Sequence, residues 1–417
     1  MTISKPLFVY LQRPDTGEWV TVGRYARQRD DEPGMFMYAP SYIDARLPWS
    51  VDPVNLPLIG GIEHLAQRYR GLHDVLRDTC PDTWGRQLLQ REYQLPDNAH
   101  DSDYLRIARN GDRWGALATG AARKPSIDAL RSPKLQQLDG LVEELQAMSE
   151  RRPPVDARLR KMLMSTPSMG GARPKGTLRD GEDYWLVKPI MQSDVADIPR
   201  LEHFTLKWGT ASGLNFAQSV HHQVGGAPSV VRVLRFDRKA DRRKMAISAA
   251  SLLSAEYPGG LRAGWSYPLL AQILQRIGAP LRDQIELFDR MVFNAIVGND
   301  DDHPRNHAAI YDIQEKRWRL SPAFDVVPNP EMEPKALAMQ VSAGRFDITR
   351  EAVLADAELF GFKDQNEAEL HLDALLDTIA SAFPTVQAEL PAELSTLLRD
   401  RLANGMRQLA ARTTKYP

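Results

Sequence analysis

The segment from Gly298 to Ala308 reads GNDDDHPRNHA and concentrates side chains that can do chemistry. Three consecutive aspartates repel one another unless a cation, a partner or open water lowers the repulsion. The segment also contains His303 and Asn306, and Mg²⁺ prefers carboxylate and amide oxygens as ligands. It is therefore a candidate site for metal binding or proton transfer.

A further aspartate, Asp325, lies in SPAFD after a predicted β-hairpin formed by AAIYD and EKRWRL. In Mg²⁺-dependent phosphoryl transfer, one carboxylate orients the attacking hydroxyl or accepts its proton, while an amide oxygen and a second carboxylate hold the metal against the phosphates. Asp301, Asn306 and Asp325 supply these groups. The alternative is a solvated acidic loop, which agrees poorly with the sequence because carboxylates near a helix C-terminus oppose the helix dipole.

Lys188 and Glu202 form a second candidate pair. Lys188 lies in the predicted strand YWLVKPI, whose other side chains favour burial, so its ammonium needs an anion nearby. Glu202 lies near the start of the predicted helix RLEHFTLKWGTASG and can project beside the apolar stripe toward Lys188. The alternative is a surface lysine at a strand end and a glutamate that complements the helix dipole.

The loop SMGGARPKG precedes the lysine strand and is a candidate phosphate-binding loop. Two adjacent glycines allow the backbone to approach a ligand and to turn its N–H groups inward, and Lys175 adds a cation. The order Lys-Gly-Thr differs from the Gly-Lys-Thr of a Walker A motif. Such a glycine pair is also common in ordinary turns, but its position directly before the Lys188 strand favours the functional interpretation.

An ordered series of elements must position these groups. A glycine-rich loop, a strand with a lysine, a helix with a glutamate and the β-branched run SVVRVLRFDR follow one another, an order typical of a lobe that binds a nucleoside triphosphate. From the hydrophobic patterns we predict four regions. They are an antiparallel β subdomain (1–60), a helical remainder of the N-terminal region (61–150), a nucleotide-binding lobe (151–240) and a mainly helical catalytic lobe (241–417).

Composition narrows the class of protein. The chain has 417 residues, 43% hydrophobic and 26% charged, which is typical of a globular protein with two or three lobes. Its net charge of -1 argues against a dedicated nucleic-acid binder. Cys80 is the only cysteine, and the sequence has neither a start resembling a signal peptide nor an apolar run of about 18 residues. We expect a cytoplasmic protein that does not associate with a membrane.

The sequence resembles the HipA-type serine/threonine kinases, the toxins of bacterial HipBA-like toxin–antitoxin pairs. The matching segments are SMGGARPK at 168–175, WLVKP, RLE at 200–202, RFDR at 235–238, GNDDDHPRNHA, and SPAFD at 321–325. Upstream, PDTWGRQLL and GDRWGAL are similar to motifs of the family's N-terminal region, so the resemblance covers most of the chain. It implies an α+β, two-lobed protein-kinase-like fold with a small N-terminal β subdomain and a mainly helical C-terminal lobe.

The resemblance also implies the cofactors ATP and Mg²⁺, and a role for each matching residue. Asp301 would be the catalytic base, Asn306 and Asp325 the Mg²⁺ ligands, and His303 a neighbour of the phosphates. Lys188, partnered by Glu202, would contact the triphosphate. The remaining nucleotide contacts would come from the glycine loop (Gly170, Gly171, Ala172, Arg173, Pro174 and Lys175), from the connector (Leu234, Arg235 and Phe236) and from Phe324.

Ser168 falls where family members carry an autophosphorylated serine that inactivates the enzyme. Phosphorylation adds about two negative charges, which would repel the loop from a phosphate site. Ser165 and Thr166 are nearby alternatives for this modification.

Family members phosphorylate aminoacyl-tRNA synthetases, so the resemblance implies a protein substrate, with an aminoacyl-tRNA synthetase as the candidate. It also implies a helix-turn-helix antitoxin of HipB type, through which the chain would reach DNA indirectly. Three alternatives remain open: a small-molecule kinase, a non-catalytic partner-binding module, and a metal-dependent hydrolase or nuclease that uses 300–303 as a two-metal cluster. The sequence assigns no role to Asp300 or Asp302.

Overall fold

A computed structural model of the chain describes residues 6–27, 32–165, 171, 173–223, 229–259 and 262–410. Ser168, Thr166, Gly170 and Ala172, which belong to the predicted glycine loop or flank it, lie outside the described residues. Within the described ranges, no helix is both long enough and apolar enough to cross a membrane.

The N-terminal region combines a five-stranded antiparallel sheet with short helices. Its strands are β1 (Leu7–Gln12), β2 (Trp19–Ala26), β3 (Gly34–Tyr38), β4 (His64–Ala66) and β5 (Leu117–Gly120), in the order β4-β3-β2-β1-β5. Its helices are α1 (Pro40–Asp44), α2 (Asp74–Asp78), α3 (Thr83–Tyr93), α4 (Asp101–Ile107), α5 (Leu138–Ser149) and α6 (Ala157–Ser165), with 3₁₀ turns at Tyr69–Gly71 and Leu135–Gln137.

This sheet extends past the segment in which the sequence predicted it. The expectation was a β subdomain within 1–60 and a helical remainder over 61–150, but β4 and β5 both come from beyond residue 60. The last strand, β5, pairs antiparallel with β1, so that Leu117 lies opposite Leu11. Strands of three or four residues carry too little periodicity to be recognised in a sequence.

A four-stranded antiparallel sheet follows, with one long helix beside it. Its strands are β6 (Gly176–Asp180), β7 (Asp183–Pro189), β8 (Ser219–Gln223) and β9 (Ser229–Leu234), in the order β6-β7-β9-β8, and α7 (Ile198–Ala211) lies between β7 and β8 in the chain. Side chains alternate between the two faces of a strand. In β7, Trp185 and Val187 therefore pack with Leu141 and Leu145 of α5, whereas Leu186 and Lys188 face a cleft on the opposite side.

The C-terminal region is mainly helical. After the two-residue strands β10 (Arg238–Lys239) and β11 (Arg242–Arg243), a small sheet contains β12 (Ala246–Ser248), β13 (Ala308–Asp312) and β14 (Arg317–Leu320). The helices are α8 (Ala249–Leu252), α9 (Tyr267–Arg276), α10 (Leu281–Val297), α11 (Arg350–Leu354), α12 (Gln365–Gln387) and α13 (Ala392–Ala410), with 3₁₀ turns at Arg262–Gly264, Pro304–Asn306 and Ala357–Phe360.

The end of α10 fixes where the acidic segment begins. Gly298 follows the helix with a φ of 74°, in the left-handed region that glycine adopts readily, and its N–H donates to the Asn294 carbonyl. Upstream, a turn containing Gly278 (φ 86°) and Pro280 separates α10 from α9.

Trp208 joins α7 to the C-terminal helices. Its side chain is fully buried, its ring centroid lies 4.8 Å from that of Phe383 and 5.4 Å from that of Phe293, and its Nε1–H donates to the Ile379 carbonyl at 2.9 Å.

We predict that Trp208→Ala lowers the free energy of unfolding by about 3–5 kcal/mol, because it leaves a cavity and an unpaired carbonyl. Urea unfolding followed by circular dichroism measures this change. Tyr93→Ala, which removes a 47% exposed ring, is the matched control, and an equal effect of the two substitutions would contradict the prediction.

Candidate active site

A cleft lies between the four-stranded sheet and the acidic segment. It is lined by strand residues, the connector after β9, and the segments around 303–306 and 324–325. The lining residues that the sequence predicted are Gly171, Lys188, Leu234, Arg235, Phe236, His303, Asn306, Phe324 and Asp325. The lining residues that it did not predict are Trp114, Leu186, Val233, Asp237, Ser248, Tyr257 and Arg305.

Lys188 is the central cation of this cleft. Its Nζ donates to Glu202 Oε1 at 2.6 Å and to Asp325 Oδ1 at 2.7 Å, and its side chain is 8% exposed. Burial alone would lower the pKa of Lys188, but the charges of Asp325 and Glu202 raise it above its ordinary value. Lys188 therefore stays protonated and fixes a carboxylate from each side of the cleft.

The pKa values of the two carboxylates that contact Lys188 shift in opposite directions. Glu202 is almost fully buried in α7, and burial raises its pKa above the ordinary value despite the attraction of Lys188. Burial also acts to raise the pKa of Asp325, but Lys188 and Lys175 hold it well below the ordinary value. Although protein surrounds Asp325 on several sides, 39% of its side chain is exposed, so it remains ionised and open to the cleft.

The side chains of the three consecutive aspartates lie in different environments. Asp302 is buried and accepts hydrogen bonds from the Tyr267 hydroxyl, from Asn294 Nδ2 at 2.8 Å and from His307 Nε2 at 2.8 Å. Asp300 turns away and accepts from Asn329 Nδ2 at 3.1 Å. These contacts assign structural roles to the two aspartates that the sequence left unassigned, and they do not fit a two-metal cluster built from 300–303.

Asp301 is the exposed member of the triplet. It does not line the cleft, but its carboxylate is close enough to that of the lining residue Asp325 to be repelled by it. The protein around its carboxyl displaces hydration and, together with repulsion from Asp325 and Asp300, raises the pKa of Asp301 to about 6. Its backbone carbonyl accepts from the His303 N–H at 2.9 Å and from Asn306 Nδ2 at 3.1 Å, which fixes the turn. A carboxylate with this pKa is mostly ionised at neutral pH and can accept a proton.

Asn306 and Asp325 have the chemistry of a magnesium site. The Asn306 amide nitrogen is already bonded to the Asp301 carbonyl, so its Oδ1 is available as a ligand, and both side chains line the same cleft. In the described ranges no three histidine, cysteine, aspartate or glutamate side chains form a metal-binding group. A site with few protein ligands suits Mg²⁺, which keeps several waters and commonly binds substrate phosphates.

Aromatic rings form the apolar part of the cleft. The ring centroids of Phe236 and Phe324 lie 5.4 Å apart, and Leu186 and Val233 line the sheet side. On the opposite side, the Tyr257 and His303 ring centroids are 3.9 Å apart, and burial lowers the pKa of His303. His303 is therefore a neutral, packed residue at neutral pH.

The connector is fixed by buried ion pairs. Arg235 donates to both carboxylate oxygens of Asp237 at 2.9 Å and also pairs with Asp112 from the N-terminal region. Its backbone N–H donates to the Tyr184 carbonyl at 2.8 Å, and the Leu234 N–H donates to the Gln218 carbonyl at 2.8 Å. The N–H groups of Leu234 and Arg235 are therefore engaged within the sheet, which restricts the predicted backbone contact with adenine to the remaining groups of this connector.

The described side chains of the glycine loop do not lie where the sequence predicted them, at the phosphates. Gly171 lines the cleft, whereas Arg173 makes a double ion pair with Asp194, at 2.5 and 2.6 Å. Pro174 and Lys175 are buried, and the Lys175 Nζ lies 3.4 Å from Asp82 Oδ2. The loop cations predicted to cover phosphates are thus bound to neighbouring carboxylates.

Asp82 is a residue of this region that sequence reasoning missed. Its Oδ1 accepts from the Gly85 N–H at 2.8 Å, and this bond caps the N-terminus of α3. The following Trp84 N–H donates to the Gly171 carbonyl at 3.4 Å. Asp82 belongs to PDTWGRQLL, and the unpredicted Trp114 belongs to GDRWGAL, so these two N-terminal motifs were the available signal.

Together, the fold and the cleft define an α+β, two-lobed protein of protein-kinase-like architecture with a small N-terminal β subdomain and a mainly helical C-terminal lobe. Residues 167–384, more than half of the 417, match the model of the HipA-like C-terminal domain. The chain therefore belongs to the HipA-like family.

Two known proteins are similar to this chain. A curated relative from Sinorhizobium fredii, named "Putative kinase Y4mE", is 26% identical over 351 residues, which are 77% of this chain and 78% of the relative. Among solved structures, HipA of Shewanella oneidensis, determined in a complex with HipB and operator DNA, aligns with a TM-score of 0.72 at 17% identity over 97% of each chain. This structural likeness establishes the fold.

The buried position of Asp302 generates a test of its structural role. We predict that Asp302→Ala lowers the free energy of unfolding by about 3 kcal/mol or more, because three buried donors lose their acceptor. Urea unfolding measures the change. Asp300→Ala, the adjacent substitution, removes only a half-exposed contact with Asn329 and should cost about 1 kcal/mol or less. Similar values for the two variants would contradict the assignment.

Proposed function

We propose that this chain is an ATP- and Mg²⁺-dependent serine/threonine protein kinase of HipA type. The observation that supports it best is the contact of Lys188 with both Glu202 and Asp325, in a cleft that also holds Asn306. A lysine fixed by a helix glutamate, beside a metal-binding aspartate and asparagine, is the arrangement that phosphoryl transfer requires. Family membership and the name of the Sinorhizobium relative agree with this function.

In this proposal the nucleotide occupies the cleft, with its base between the aromatic rings and the sheet. Phe236 and Phe324 supply apolar contact for adenine, and Gly171 allows the loop backbone to approach the phosphates. Lys188 neutralises phosphate charge. Magnesium, held by Asn306 and Asp325, would supply further neutralisation of the phosphate oxygens.

Asp301 would act on the acceptor hydroxyl. It is exposed, its carboxylate is close enough to Asp325 of the cleft to be repelled by it, and with a pKa of about 6 it is mostly ionised at neutral pH and can accept the hydroxyl proton as transfer proceeds. Asp300 and Asp302 hold the turn from both sides, so Asp301 is positioned by its neighbours.

The acceptor and the partners follow from the family. We propose a protein substrate in the cytoplasm, of which an aminoacyl-tRNA synthetase is the candidate, and an antitoxin of HipB type. Shewanella HipA forms a complex with HipB and operator DNA, and this chain, with a net charge of -1, would reach DNA through such a partner.

The role of Asp301 can be tested by substitution. We predict that Asp301→Asn lowers the rate of phosphate transfer from labelled ATP about 10²- to 10⁴-fold, because the amide cannot accept a proton. Magnesium-dependent ATP binding, measured by calorimetry, should persist in Asp301→Asn and weaken in Asp325→Asn. Asp300→Asn is the matched control and should retain activity. Near-normal transfer by Asp301→Asn would refute the assignment of the base.

The protein acceptor can be identified in a separate experiment, by mass spectrometry of labelled lysate proteins.

Ser168 is the proposed site of autophosphorylation. We predict that Ser168→Ala removes most self-labelling while ATP binding is retained, because the substitution removes only the hydroxyl that would accept the phosphate. Phosphopeptide mapping provides the measurement, and Asp301→Asn serves as the inactive control. Undiminished labelling would move the site to Ser165, Thr166 or another residue.

A further inference from the structure

A second cavity, of about 570 Å³, lies between the β1–β2 turn and the β10–β11 strand pair. In the described part of the chain it shares no lining residue with the candidate active-site cleft. Four arginines and two aspartates line it, which leaves an excess of two positive charges. These residues are Arg179, Arg238, Arg242, Arg243, Asp128 and Asp241.

The arginines bind mainly to backbone carbonyls. Arg243 Nη2 donates to the carbonyls of Asn110 and Gly111, both at 2.9 Å, and Arg242 donates to three carbonyls in the β1–β2 turn. Carbonyls satisfy hydrogen bonds but carry no net charge. Within the described residues Arg243 forms no ion pair, and its buried Nη1 has no hydrogen-bond partner. Among the described residues, this guanidinium therefore has no carboxylate in direct contact.

The environment of Arg243 favours an added anion. Burial, together with repulsion from Arg238, lowers the pKa of Arg243 to about 9. The neighbouring Arg238 is itself buried and shares Asp237 and Asp112 with Arg235, so these two carboxylates already compensate other guanidinium groups. A bound anion would stabilise both guanidinium groups.

Aromatic rings hold the arginines in place and add apolar surface. The Arg243 guanidinium lies 5.1 Å from the centre of the Trp19 ring, and that of Arg179 lies 5.7 Å from the centre of the Tyr184 ring. Ile127 also lines the cavity. The volume falls within the range of small-molecule sites, roughly 300–1,000 Å³, and a single phosphate ion would leave most of it empty.

We propose that this cavity binds a phosphorylated small molecule with an aromatic or apolar portion, about the size of a mononucleotide. Several guanidinium groups match the geometry and charge of a phosphate group, and the apolar lining suits the rest of such a ligand. The site joins the N-terminal sheet to the four-stranded sheet, so an occupant would contact both. The proposal is independent of the kinase activity.

Isothermal titration of the full chain with phenyl phosphate, in EDTA to exclude metal-dependent binding in the cleft, tests this site. We expect saturable binding that Arg179→Gln and Arg243→Gln each weaken at least tenfold. Arg305→Gln removes a cation of the cleft and is the matched control, which should bind as the unmodified chain does. Phenyl phosphate should also bind more tightly than inorganic phosphate or sulfate.

Arg179→Gln keeps the test decisive if Arg243→Gln disturbs folding, since Arg179 is exposed and its Nε donates only to the nearby Gly181 carbonyl. Circular dichroism checks the fold of each variant. Binding that Arg305→Gln weakens and Arg179→Gln does not would place the ligand in the cleft and overturn the proposal. Absence of saturable binding, or equal affinity for sulfate and phenyl phosphate, would overturn it as well.

Discussion

A lysine ammonium buried in a protein must have anionic partners, because the lost hydration costs several kcal/mol. Lys188 obtains two such partners from parts of the chain that are far apart: Glu202 from α7, and Asp325 from the segment after β14. Each contact requires a specific packing, of α7 beside the four-stranded sheet and of the C-terminal region across the cleft. Removal of either carboxylate leaves charge uncompensated, so this three-way contact fixes the two sides of the cleft relative to each other.

The carboxylates of the acidic segment also need partners, but they obtain them mainly through hydrogen bonds. Three adjacent carboxylates are tolerated because hydrogen bonds from Asn294 and His307 hold Asp302 in the interior and Asn329 donates to Asp300. Among the described residues Asp301 lacks such partners, and its pKa is raised by partial burial of the carboxyl and, to a smaller extent, by repulsion from the neighbouring carboxylates. Of the three aspartates, only Asp301 is thus available for chemistry. Asp300 and Asp302 hold the turn that positions it.

Much of the central region was predictable from sequence, because β7, α7, β9 and the β13–β14 hairpin have strong local periodicity and follow one another in the chain. The parts that were missed depend on contacts between distant residues. Nothing local in HLA or LATG indicates that β4 and β5 complete the N-terminal sheet. Similarly, the pairing of Arg173 with Asp194, the burial of Asp302 and the contact between Asp82 and Lys175 arise only when separate segments pack together.

The N-terminal region is part of the cleft's construction as well as a neighbour of it. Trp84 donates to the carbonyl of Gly171, Asp82 pairs with Lys175, and Asp112 pairs with Arg235 of the connector. Two of the three contacts engage buried charges, whose partners cannot be removed without a large cost. The loop predicted to cover phosphates and the connector predicted to meet adenine are therefore both held from the N-terminal side. It follows that a displacement of α3 or of the 110–115 segment would alter the nucleotide side of the cleft directly, even though the acidic segment and Asp325 lie in the other lobe.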